Sequence, residues 1–519
     1  MTQPNGAQAL IRTLVNGGVD TCFMNPGTSE MHFVAALDSV PEMRPVLCLF
    51  EGVATGAADG YARMADRPAA TLLHLGPGLG NGLANLHNAR RAHSPLVNIV
   101  GDHATYHRPY DAPLTMEIES LAGTVSAWVG KAQDASQVAT LAAQAIQAAR
   151  TPPGQIATLV LPGDAAWNPA PGPVDPPEPP SPGPVDPRQV EAIAQALLGP
   201  DPAMLLLGHT ALREGPLKLA SRIARRTGAQ LRAGWVAARV QRGAGRPVIE
   251  RIPYPVDQAV ALLAPIRHLV LVGSGPPVAF FAYPGKPSLL APPECRIHTL
   301  AQADQDIPGA LAALAEAVQA GPELGPVHRL ARPALPTGPL TREAVWTALT
   351  GLMPEGAIVS DESVTASRDA YALTQGAPPH DWLHVTGGAI GQGLPVATGA
   401  ALACPDRPVF AMEADGSAMY TLQALWTQAR EGLNVVTVLF ANRAYRILQG
   451  ELRRVGGDRP GPRAGAMMRL DQPPLDFVAL AQGMGIPGAR PATAEEFVAQ
   501  LRQGIQEPGP RLIEVVLEG

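Results

Sequence analysis

Residues 411–442, AMEADGSAMYTLQALWTQAREGLNVVTVLFAN, contain two apolar runs, and each of them ends at a polar side chain. The first run ends at Asp415 and the second at Asn442, 27 residues later. The intervening residues have a helical pattern that begins near Ser417 and ends at Gly432. A buried strand, a helix and a second buried strand predict a parallel βαβ unit. Asp415 and Asn442 are therefore expected together at the carboxyl edge of a sheet.

The same alternation of short apolar runs and amphipathic helices recurs along the chain. It predicts an α/β protein with three doubly wound parallel-sheet domains, each sheet covered by helices on both faces. In such sheets ligands bind beyond the carboxyl ends of the strands, where the glycine-rich turns fall. The turns expected at this edge are NPGTSE, HLGPGLGN, GDHATYHR, ADGS and FANRAY.

Two proline-rich segments divide the chain. Residues 169–187 contain ten prolines and residues 321–340 contain five, and proline runs form extended linkers rather than helix or sheet interiors. A chain of 519 residues also exceeds what one hydrophobic core usually supports. The expected domains are 1–168, 188–320 and 341–519.

Charge and composition exclude several classes of function. A net charge of -6 provides no basic field for nucleic acid or for an anionic membrane. No apolar run reaches about 18 residues, so we expect no membrane span, and the N-terminal sequence does not resemble a signal peptide. Four scattered cysteines fit a reducing compartment. The sequence predicts a cytoplasmic protein whose partner is a small molecule.

Oxygen ligands at the two strand ends suggest a metal site. A carboxylate, an amide oxygen and a carbonyl from the following turn would provide half of an octahedron for Mg²⁺, with phosphate and water completing it. The helix start at Gly416 and Ser417 would add donors for a phosphate group. A purely structural Asp-Gly turn is the alternative explanation of the same residues.

The A-D-G-S…A-N pattern resembles the diphosphate and magnesium motif of thiamine diphosphate-dependent enzymes, although Ala414 replaces the usual first glycine. MNPGTSEMHFVAAL and LCLFEGVATGAADGYAR resemble the pyrimidine-binding domain of that family, and HVTGGAIGQGLPVATGAALA resembles the entry to its diphosphate-binding domain. The resemblance is strongest to the benzoylformate decarboxylase and acetolactate synthase-like branch. It implies pyrimidine-binding, middle and diphosphate-binding domains, in that order.

The resemblance also implies roles for particular residues. Glu51 would be catalytic, through a hydrogen bond to the aminopyrimidine ring of the cofactor. Ile390 would lie under the bend between the two cofactor rings. The other cofactor contacts implied are Gly416, Ser417, Asn442 and Ala444, and the Mg²⁺ ligands implied are Asp415, Asn442 and the carbonyl of Ala444.

The resemblance also implies which residues bind the substrate. His74 matches a catalytic histidine, an effective proton carrier near neutral pH, and Thr28 or Ser29 would bind the substrate carboxylate. His103, with its neighbours His107 and Arg108, is a further candidate for substrate binding, or for an ordinary surface loop.

The roles of two further positions stay open. Ala282 falls where the decarboxylases carry a second catalytic histidine, so proton transfer could use another group or the intermediate could react with a second carbonyl. Glu362 falls where they carry an acid of the pocket or of the domain boundary, and a helix-capping or exposed role is the alternative.

The expected activity is decarboxylation of a 2-oxo acid that uses thiamine diphosphate and Mg²⁺, with release of an aldehyde or transfer of the acyl group to an acceptor carbonyl. Alternatives are an acetolactate synthase-type carboligase, a C-C hydrolase or lyase, and a non-catalytic binding relative. FAD is doubtful because the middle block lacks a G-x-G-x-x-G fingerprint. The resemblance implies a homodimer or homotetramer with active sites at the dimer interface.

Overall fold

The computed structural model describes residues 3–457 and 460–517. The strands are β1 (Thr21–Asn25), β2 (Arg44–Leu47), β3 (Ala69–Leu73), β4 (Leu96–Asp102), β5 (Trp128–Lys131), β6 (Ile156–Pro162), β7 (Ala203–Leu207), β8 (Gln230–Ala233), β9 (Val240–Arg242), β10 (Glu250–Arg251), β11 (His268–Val272), β12 (Arg296–Ala301), β13 (Ile358–Glu362), β14 (His380–His384), β15 (Val409–Ala414), β16 (Val435–Ala441), β17 (Gly488–Ala489) and β18 (Arg511–Val516).

The helices are α1 (Gly6–Asn16), α2 (Met31–Ala36), α3 (Glu51–Ala65), α4 (Leu75–Ala92), α5 (Ile118–Ala122), α6 (Val138–Arg150), α7 (Gly163–Trp167), α8 (Pro187–Leu198), α9 (Glu214–Thr227), α10 (Val256–Leu263), α11 (Ile307–Ala317), α12 (Arg342–Leu352), α13 (Ala370–Leu373), α14 (Gly393–Ala403), α15 (Asp415–Ala418), α16 (Ala424–Arg430), α17 (Arg446–Arg454), α18 (Pro462–Ala466), α19 (Phe477–Gly483) and α20 (Ala494–Gln506). Short 3-10 turns add Thr28–Glu30, Leu37–Ser39, Arg108–Tyr110 and His209–Leu212. No helix in these ranges is long and apolar enough to cross a bilayer.

The strands form three sheets, which confirms the predicted fold class. Their orders are β2-β1-β3-β4-β6-β5, β10-β8-β7-β11-β12 and β17-β18-β16-β15-β13-β14-β9. Pairing is parallel throughout the first two sheets. The third sheet is parallel apart from the edge pair of β14 and β9. Helices on both faces leave the carboxyl edges of the strands free for a site.

Strand β9 was not anticipated from the sequence. It lies within the predicted middle block, yet it pairs with β14 of the third sheet, so a short segment of the middle block is tied to the C-terminal one. Arg242 anchors this junction because its guanidinium lies 3.9 Å from the ring centroid of Tyr371. Burial lowers the pKa of Arg242 to about 10.

The helix predicted between Ser417 and Gly432 is broken in two. Helix α15 begins at Asp415, before the predicted start, and α16 begins only at Ala424. In the turn between them, Thr421 Oγ1 donates to the carbonyl of Gly391 at 3.0 Å. This tertiary contact holds the turn away from the helical path that local propensity favours. Gly432, with a φ of +61°, ends the second piece as predicted.

Helices α3 and α14 join the first sheet to the third by direct backbone contact. A Cβ at Gly60 would lie 2.1 Å from the carbonyl oxygen of Val396, and a Cβ at Gly399 would lie 1.8 Å from that of Ala57. Real Cβ atoms do not approach so closely, so both positions require glycine. Together they bring the two helices into contact at the backbone.

A buried polar cluster lies beside this contact. Arg63 donates to both oxygens of Asp59, at 2.8 and 2.6 Å. The carboxylate also accepts from Ser94 and from Gln392, which precedes α14. Arg63 reaches the third sheet through the carbonyl of His384 at 2.8 Å. The ion pair is therefore saturated with hydrogen bonds from both domains.

We expect Gly60→Ala to destabilise the protein by about 2–3 kcal/mol, because the added methyl group must push α14 away from α3. Gly450→Ala in α17 is the control, since a Cβ there meets no atom within 4 Å. Alanine is favoured inside a helix by about 0.5–1 kcal/mol, so the control should keep or raise the unfolding midpoint. Similar midpoints for the two variants in thermal unfolding would contradict the close packing.

Candidate active site

Asp415 and Asn442 lie side by side, as the sequence predicted, because β15 and β16 are parallel neighbours with Ala414 opposite Phe440. Asp415 is 2% exposed and accepts hydrogen bonds from the backbone N–H groups of Gly416 and Arg443, at 2.9 and 2.5 Å. It has no ion-pair partner within the described ranges. Burial raises the pKa of Asp415 to about 6. A buried acid of this kind suits a bound cation.

The oxygen atoms around Asp415 fit Mg²⁺. Asn442 Oδ1 accepts from the N–H of Ala444 at 3.0 Å, and the Ala444 carbonyl accepts from Arg446 at 2.9 Å, which leaves each oxygen a further lone pair. Carboxylate, amide and carbonyl oxygens are the hard ligands that Mg²⁺ prefers. Among the residues described, no three His, Cys, Asp or Glu side chains group as a separate metal site.

Ser417 and Gly416 are placed differently from each other. The Ser417 hydroxyl donates to Glu413 Oε1 at 2.6 Å, so it is directed into the core rather than toward a ligand. A Cβ at Gly416 would lie 2.5 Å from the ring of Tyr445, so the glycine admits this ring against the turn. Tyr445, in the loop that follows Asn442, thus covers the Asp-Gly turn.

Glu362 is buried, at 1% exposed, which makes the exposed alternative wrong. Its carboxyl group accepts from the N–H groups of Gly391 and Gly393, at 3.0 and 2.6 Å. These groups open α14, so Glu362 caps a helix that is distant in sequence. The same two bonds fix the loop that carries Ile390, which is half buried.

Glu413, which the sequence analysis did not single out, pairs with Glu362. A Cβ built at Gly393 would lie 2.5 Å from Glu413 Oε2 and 3.1 Å from Glu362 Oε2, so the two carboxyl groups approach each other over this glycine. Burial raises the pKa of Glu362 to about 8. Burial and the neighbouring Glu362 raise the pKa of Glu413 well above its usual range. The pair therefore retains a proton at neutral pH.

Glu51 is the first residue of α3, four residues beyond Leu47, the last residue of β2. It is 5% exposed, and its Oε2 accepts from Asn81 Nδ2 at 3.0 Å. Gly78 lies so close that a Cβ there would be 2.9 Å from Glu51 Oε1. The carboxyl group is thus held at the start of a buried helix with few polar neighbours.

Three asparagines on α4, missed by the sequence analysis, connect Glu51 to the Ile390 loop. Asn85 donates to the carbonyls of both Gly52 and Gly391, at 2.8 and 3.1 Å. Asn88 donates to the carbonyl of Ala389 at 2.7 Å, and Asn81 binds Glu51. Their spacing of four and three residues, which places them on one helix face, was the available signal.

His74 is positioned by Glu30, another residue that the sequence analysis missed. His74 Nδ1 lies 2.8 Å from Glu30 Oε2, and Glu30 is 4% exposed. The Gly27 N–H donates to the same oxygen at 2.8 Å, and Ser29 Oγ donates to Glu30 Oε1 at 2.7 Å. A Cβ at Gly27 would overlap the imidazole, so glycine is required there. The pairing directs Nδ1 to the carboxylate and leaves Nε2 outward.

The other candidates for substrate binding differ in their exposure and contacts. Thr28 is exposed, whereas Ser29 lies 3.4 Å from His74 Nδ1. In the loop after β4, His103 Nε2 bonds the carbonyl of Pro113 at 2.8 Å, and Arg108 donates to the buried Asp102 at 2.6 Å. His103 and Arg108 thus shape their own loop.

The side chain of Met116, in the same loop, nevertheless contacts the start of α4 next to His74. A Cβ at Gly76 would lie 2.4 Å from the Met116 side chain. His107, by contrast, is exposed.

Buried acids and an oriented imidazole at the carboxyl edges of two parallel sheets define a cofactor-dependent α/β enzyme. Residues 4–122 match the family described as "Thiamine pyrophosphate enzyme, N-terminal TPP binding domain", and residues 365–515 match its C-terminal TPP binding domain. The chain belongs to the thiamine diphosphate-dependent enzyme family.

Relatives extend over almost the whole chain. The "Putative acetolactate synthase large subunit IlvX" of Mycobacterium tuberculosis is 54% identical, with 99% of each chain covered. Benzoylformate decarboxylase of Pseudomonas aeruginosa is 31% identical over 96% of each. The solved 4-hydroxybenzoylformate decarboxylase of Rhodococcus jostii has the same fold, with a TM-score of 0.86, 24% identity and 99% of each chain covered.

We expect the apoprotein to lose stability as the pH rises from about 5 to 8, because raised carboxyl pKa values mean that the folded state binds more protons than the unfolded one. Glu413→Gln should flatten this profile, since an amide can donate to ionised Glu362. The slope should fall by up to about 1.4 kcal/mol per pH unit in denaturant unfolding. Glu355→Gln, at an exposed site, is the control and should leave the slope unchanged. An unaltered slope in Glu413→Gln would refute the coupling.

Proposed function

We propose that this protein decarboxylates a 2-oxo acid with thiamine diphosphate and Mg²⁺ and releases an aldehyde. The observation that carries the proposal is the combination of Glu51 and an oriented His74 in one domain with the oxygen cluster of Asp415 and Asn442 in another. The relative named benzoylformate decarboxylase supports the same assignment.

Asp415, Asn442 and the carbonyl of Ala444 would hold Mg²⁺, and the backbone at Gly416 would face the diphosphate. Glu51 would bind the aminopyrimidine ring, and Ile390 would support the bend of the cofactor. When bound, the cofactor supplies the electron sink that lets a 2-oxo acid lose CO₂. The oxygen atoms of Asp415, Asn442 and Ala444 and the raised pKa of Asp415 support the metal assignment.

The residues around His74 would bind substrate and move a proton. With Nδ1 donating to the Glu30 carboxylate, neutral His74 presents unprotonated Nε2 to the substrate side and can accept a proton there. Once protonated, the same nitrogen can return the proton to the product. Glu30 would act as a positioning residue because it selects the tautomer.

The domains that would do this are residues 1–168, 188–320 and 341–519, joined by linkers 169–187 and 321–340. We propose a cytoplasmic homodimer or homotetramer in which Glu51 and His74 of one subunit face the metal residues of a partner. An isolated monomer would then be inactive.

A carboligase is the second candidate. Position 282 carries alanine rather than histidine, so the middle domain adds no imidazole there to protonate the intermediate. A longer-lived intermediate can instead react with a second carbonyl. The name of the 54% identical relative agrees with this outcome.

The proposal is tested by CO₂ release from pyruvate, branched-chain 2-oxo acids and benzoylformate, with and without thiamine diphosphate and Mg²⁺. We expect release that depends on the cofactor, with an aldehyde as the product. An acyloin or acetohydroxy acid would identify the carboligase instead. Stoichiometric cofactor binding without CO₂ from any member would contradict the proposal and favour a C-C hydrolase or lyase.

Two substitutions should separate catalysis from cofactor binding. Glu51→Gln should lower kcat at least about 100-fold, because it removes an acid–base group, while the cofactor still binds. Asp415→Ala should instead weaken the retention of thiamine diphosphate and Mg²⁺, measured by calorimetry. Undiminished turnover in the first variant, or unchanged Mg²⁺ affinity in the second, would contradict the assigned role.

Glu30→Gln should lower kcat about 10- to 100-fold with little change in cofactor affinity, because the amide no longer fixes the imidazole tautomer. The pH profile of kcat should shift as well, since His74 loses its anionic partner. Glu42→Gln, at an exposed position, is the control. A reduced kcat with an unchanged pH profile would indicate a purely structural role for Glu30.

A further inference from the structure

A cavity of about 1040 Å³ lies between the first and second sheets. The ends of α3, α4 and α6 form one wall, and the turns after β7 and β12 form the opposite wall. The described residues that line it are different from those assigned above to cofactor, metal and substrate. Pockets that hold small organic molecules commonly have volumes of about 300–1,000 Å³, so this cavity can hold one. Residues 169–187, the proline-rich segment, close one side through Asp175, Pro176, Glu178, Pro179 and Pro182.

The proline-rich segment is held on both sides of the cavity. Gln147 Nε2, on α6, donates to the carbonyl of Glu178 at 3.0 Å. On the side of the second sheet, the Gly183 N–H donates to the carbonyl of Asp304 at 3.0 Å, and the Gly183 carbonyl accepts from the N–H of Asp306 at 2.9 Å. The segment therefore spans the gap between the two sheets. Its prolines give that side of the cavity a stiff apolar surface.

The charged groups of the cavity are mainly cationic. Arg213 and Arg239 share one carboxylate, that of Asp66, at 2.9 and 3.3 Å. Arg239 has a second partner in Asp381, whereas Asp66 is the one ion-pair partner of Arg213 among the residues described. Burial and the charge of Arg239 lower the pKa of Arg213 to about 10, so the positive charge of Arg213 is incompletely balanced. The charged and titratable lining consists of Arg63, Arg67, Arg150, Arg213, Arg239, His93 and His209, with Asp66, Asp175, Glu178 and Asp306.

Two histidines lie beside Arg213, one from each side of the cavity. His93 follows α4 and His209 follows β7, and their ring centroids are 5.4 Å apart. His209 Nε2 donates to the carbonyl of Pro153 at 3.2 Å, and its buried Nδ1 has no hydrogen-bond partner in the described part of the chain. Burial, followed by the effects of His93 and Arg213, lowers the pKa of His209 to about 4. The imidazole is therefore neutral at pH 7, with one ring nitrogen unsatisfied.

We propose that this cavity binds a small organic anion whose carboxylate or phosphate group meets Arg213, His93 and His209. Guanidinium groups bind oxyanions of both kinds through charge-assisted hydrogen bonds. The anion supplies the negative charge that Arg213 lacks, and its organic body lies against the proline rings. The site is separate from the one that carries the proposed function, so either assignment can fail without the other.

The bound anion lies at the far end of the helix that begins beside His74. Helix α4 starts immediately after His74 and ends at Ala92, so His93 follows its last residue. Asn81 on the same helix donates to Glu51 at 3.0 Å. The ligand thus contacts an element that also positions residues of the candidate active site.

The test is calorimetry with propane-1,2,3-tricarboxylate on the full chain without added Mg²⁺, which tricarboxylates chelate. Wild type should bind one equivalent per chain, and Arg213→Gln should weaken binding about tenfold or more, because a charge-assisted hydrogen bond is lost. Arg226→Gln is the control, since this arginine is exposed on α9 outside the cavity lining. No binding to wild type, or equal affinities for wild type and Arg213→Gln, would overturn the proposal.

His209→Asn is a second variant that should fold, because asparagine tolerates the left-handed backbone found at His209, with a φ of +48°. It should weaken tricarboxylate binding several-fold, since it removes the imidazole from the site. Wild-type affinity in this variant would contradict the role given to His209. Inorganic phosphate at matched ionic strength should bind wild type more weakly than the tricarboxylate does. Equal affinities would indicate a site for an inorganic oxyanion only and would overturn the organic ligand.

Proton uptake gives a readout that a purely structural role would not produce. An anion beside the imidazoles should raise their pKa values, so binding near a pH of about 7 should take up protons and strengthen as the pH falls. The charged groups that face His93 and His209 are Arg91, Arg213 and Asp304. Uptake is measured from the heats of binding in buffers of different ionisation enthalpy, and His209→Asn should reduce it. Equal uptake in wild type and His209→Asn would contradict contact between the anion and His209.

Discussion

The backbone contact between α3 and α14 is the constraint on which the rest of the structure depends. Gly60 and Gly399 let the two helices touch without intervening side chains. Helix α3 begins at Glu51, and α14 begins just after the Ile390 loop. Because side chains cannot adjust a contact between two backbones, the separation of these site elements is fixed by the helices themselves.

The Asp59–Arg63 ion pair and its hydrogen bonds fix the orientation of the two helices at this contact. Two charges taken out of water are tolerated only when their hydrogen-bonding capacity is filled, and here Ser94, Gln392 and the His384 carbonyl fill it. Removing Ser94 or Gln392 would take one hydrogen bond from the buried carboxylate of Asp59. The cluster therefore specifies one arrangement of the domains, and Asn85 and Asn88 extend it to the loop beside Ile390.

Sequence reasoning found the features that depend on local pattern. The parallel strands and the neighbouring positions of Asp415 and Asn442 follow from periodicity and from the position of polar residues after apolar runs. Glu30 was missed because its partner His74 is 44 residues away, and a turn such as PGTSE gives no sign of a tertiary contact. Strand β9 is too short to show a period. The helix after Asp415 broke because Thr421 bonds Gly391, a contact that propensity cannot anticipate.

The pKa values of the buried acids depend on burial and on the groups around each carboxyl. Burial raises the pKa of Glu362 to about 8, although its hydrogen bonds to the backbone at the start of α14 act in the opposite direction. Asp415 receives two backbone hydrogen bonds, and its pKa rises only to about 6, so it is mainly ionised at neutral pH, with no ion-pair partner among the residues that the structure describes. A divalent cation at Asp415 would supply the missing charge and would stabilise the folded state by mass action. The raised pKa values thus favour a proton on the Glu362–Glu413 pair and a negative charge on Asp415 at neutral pH.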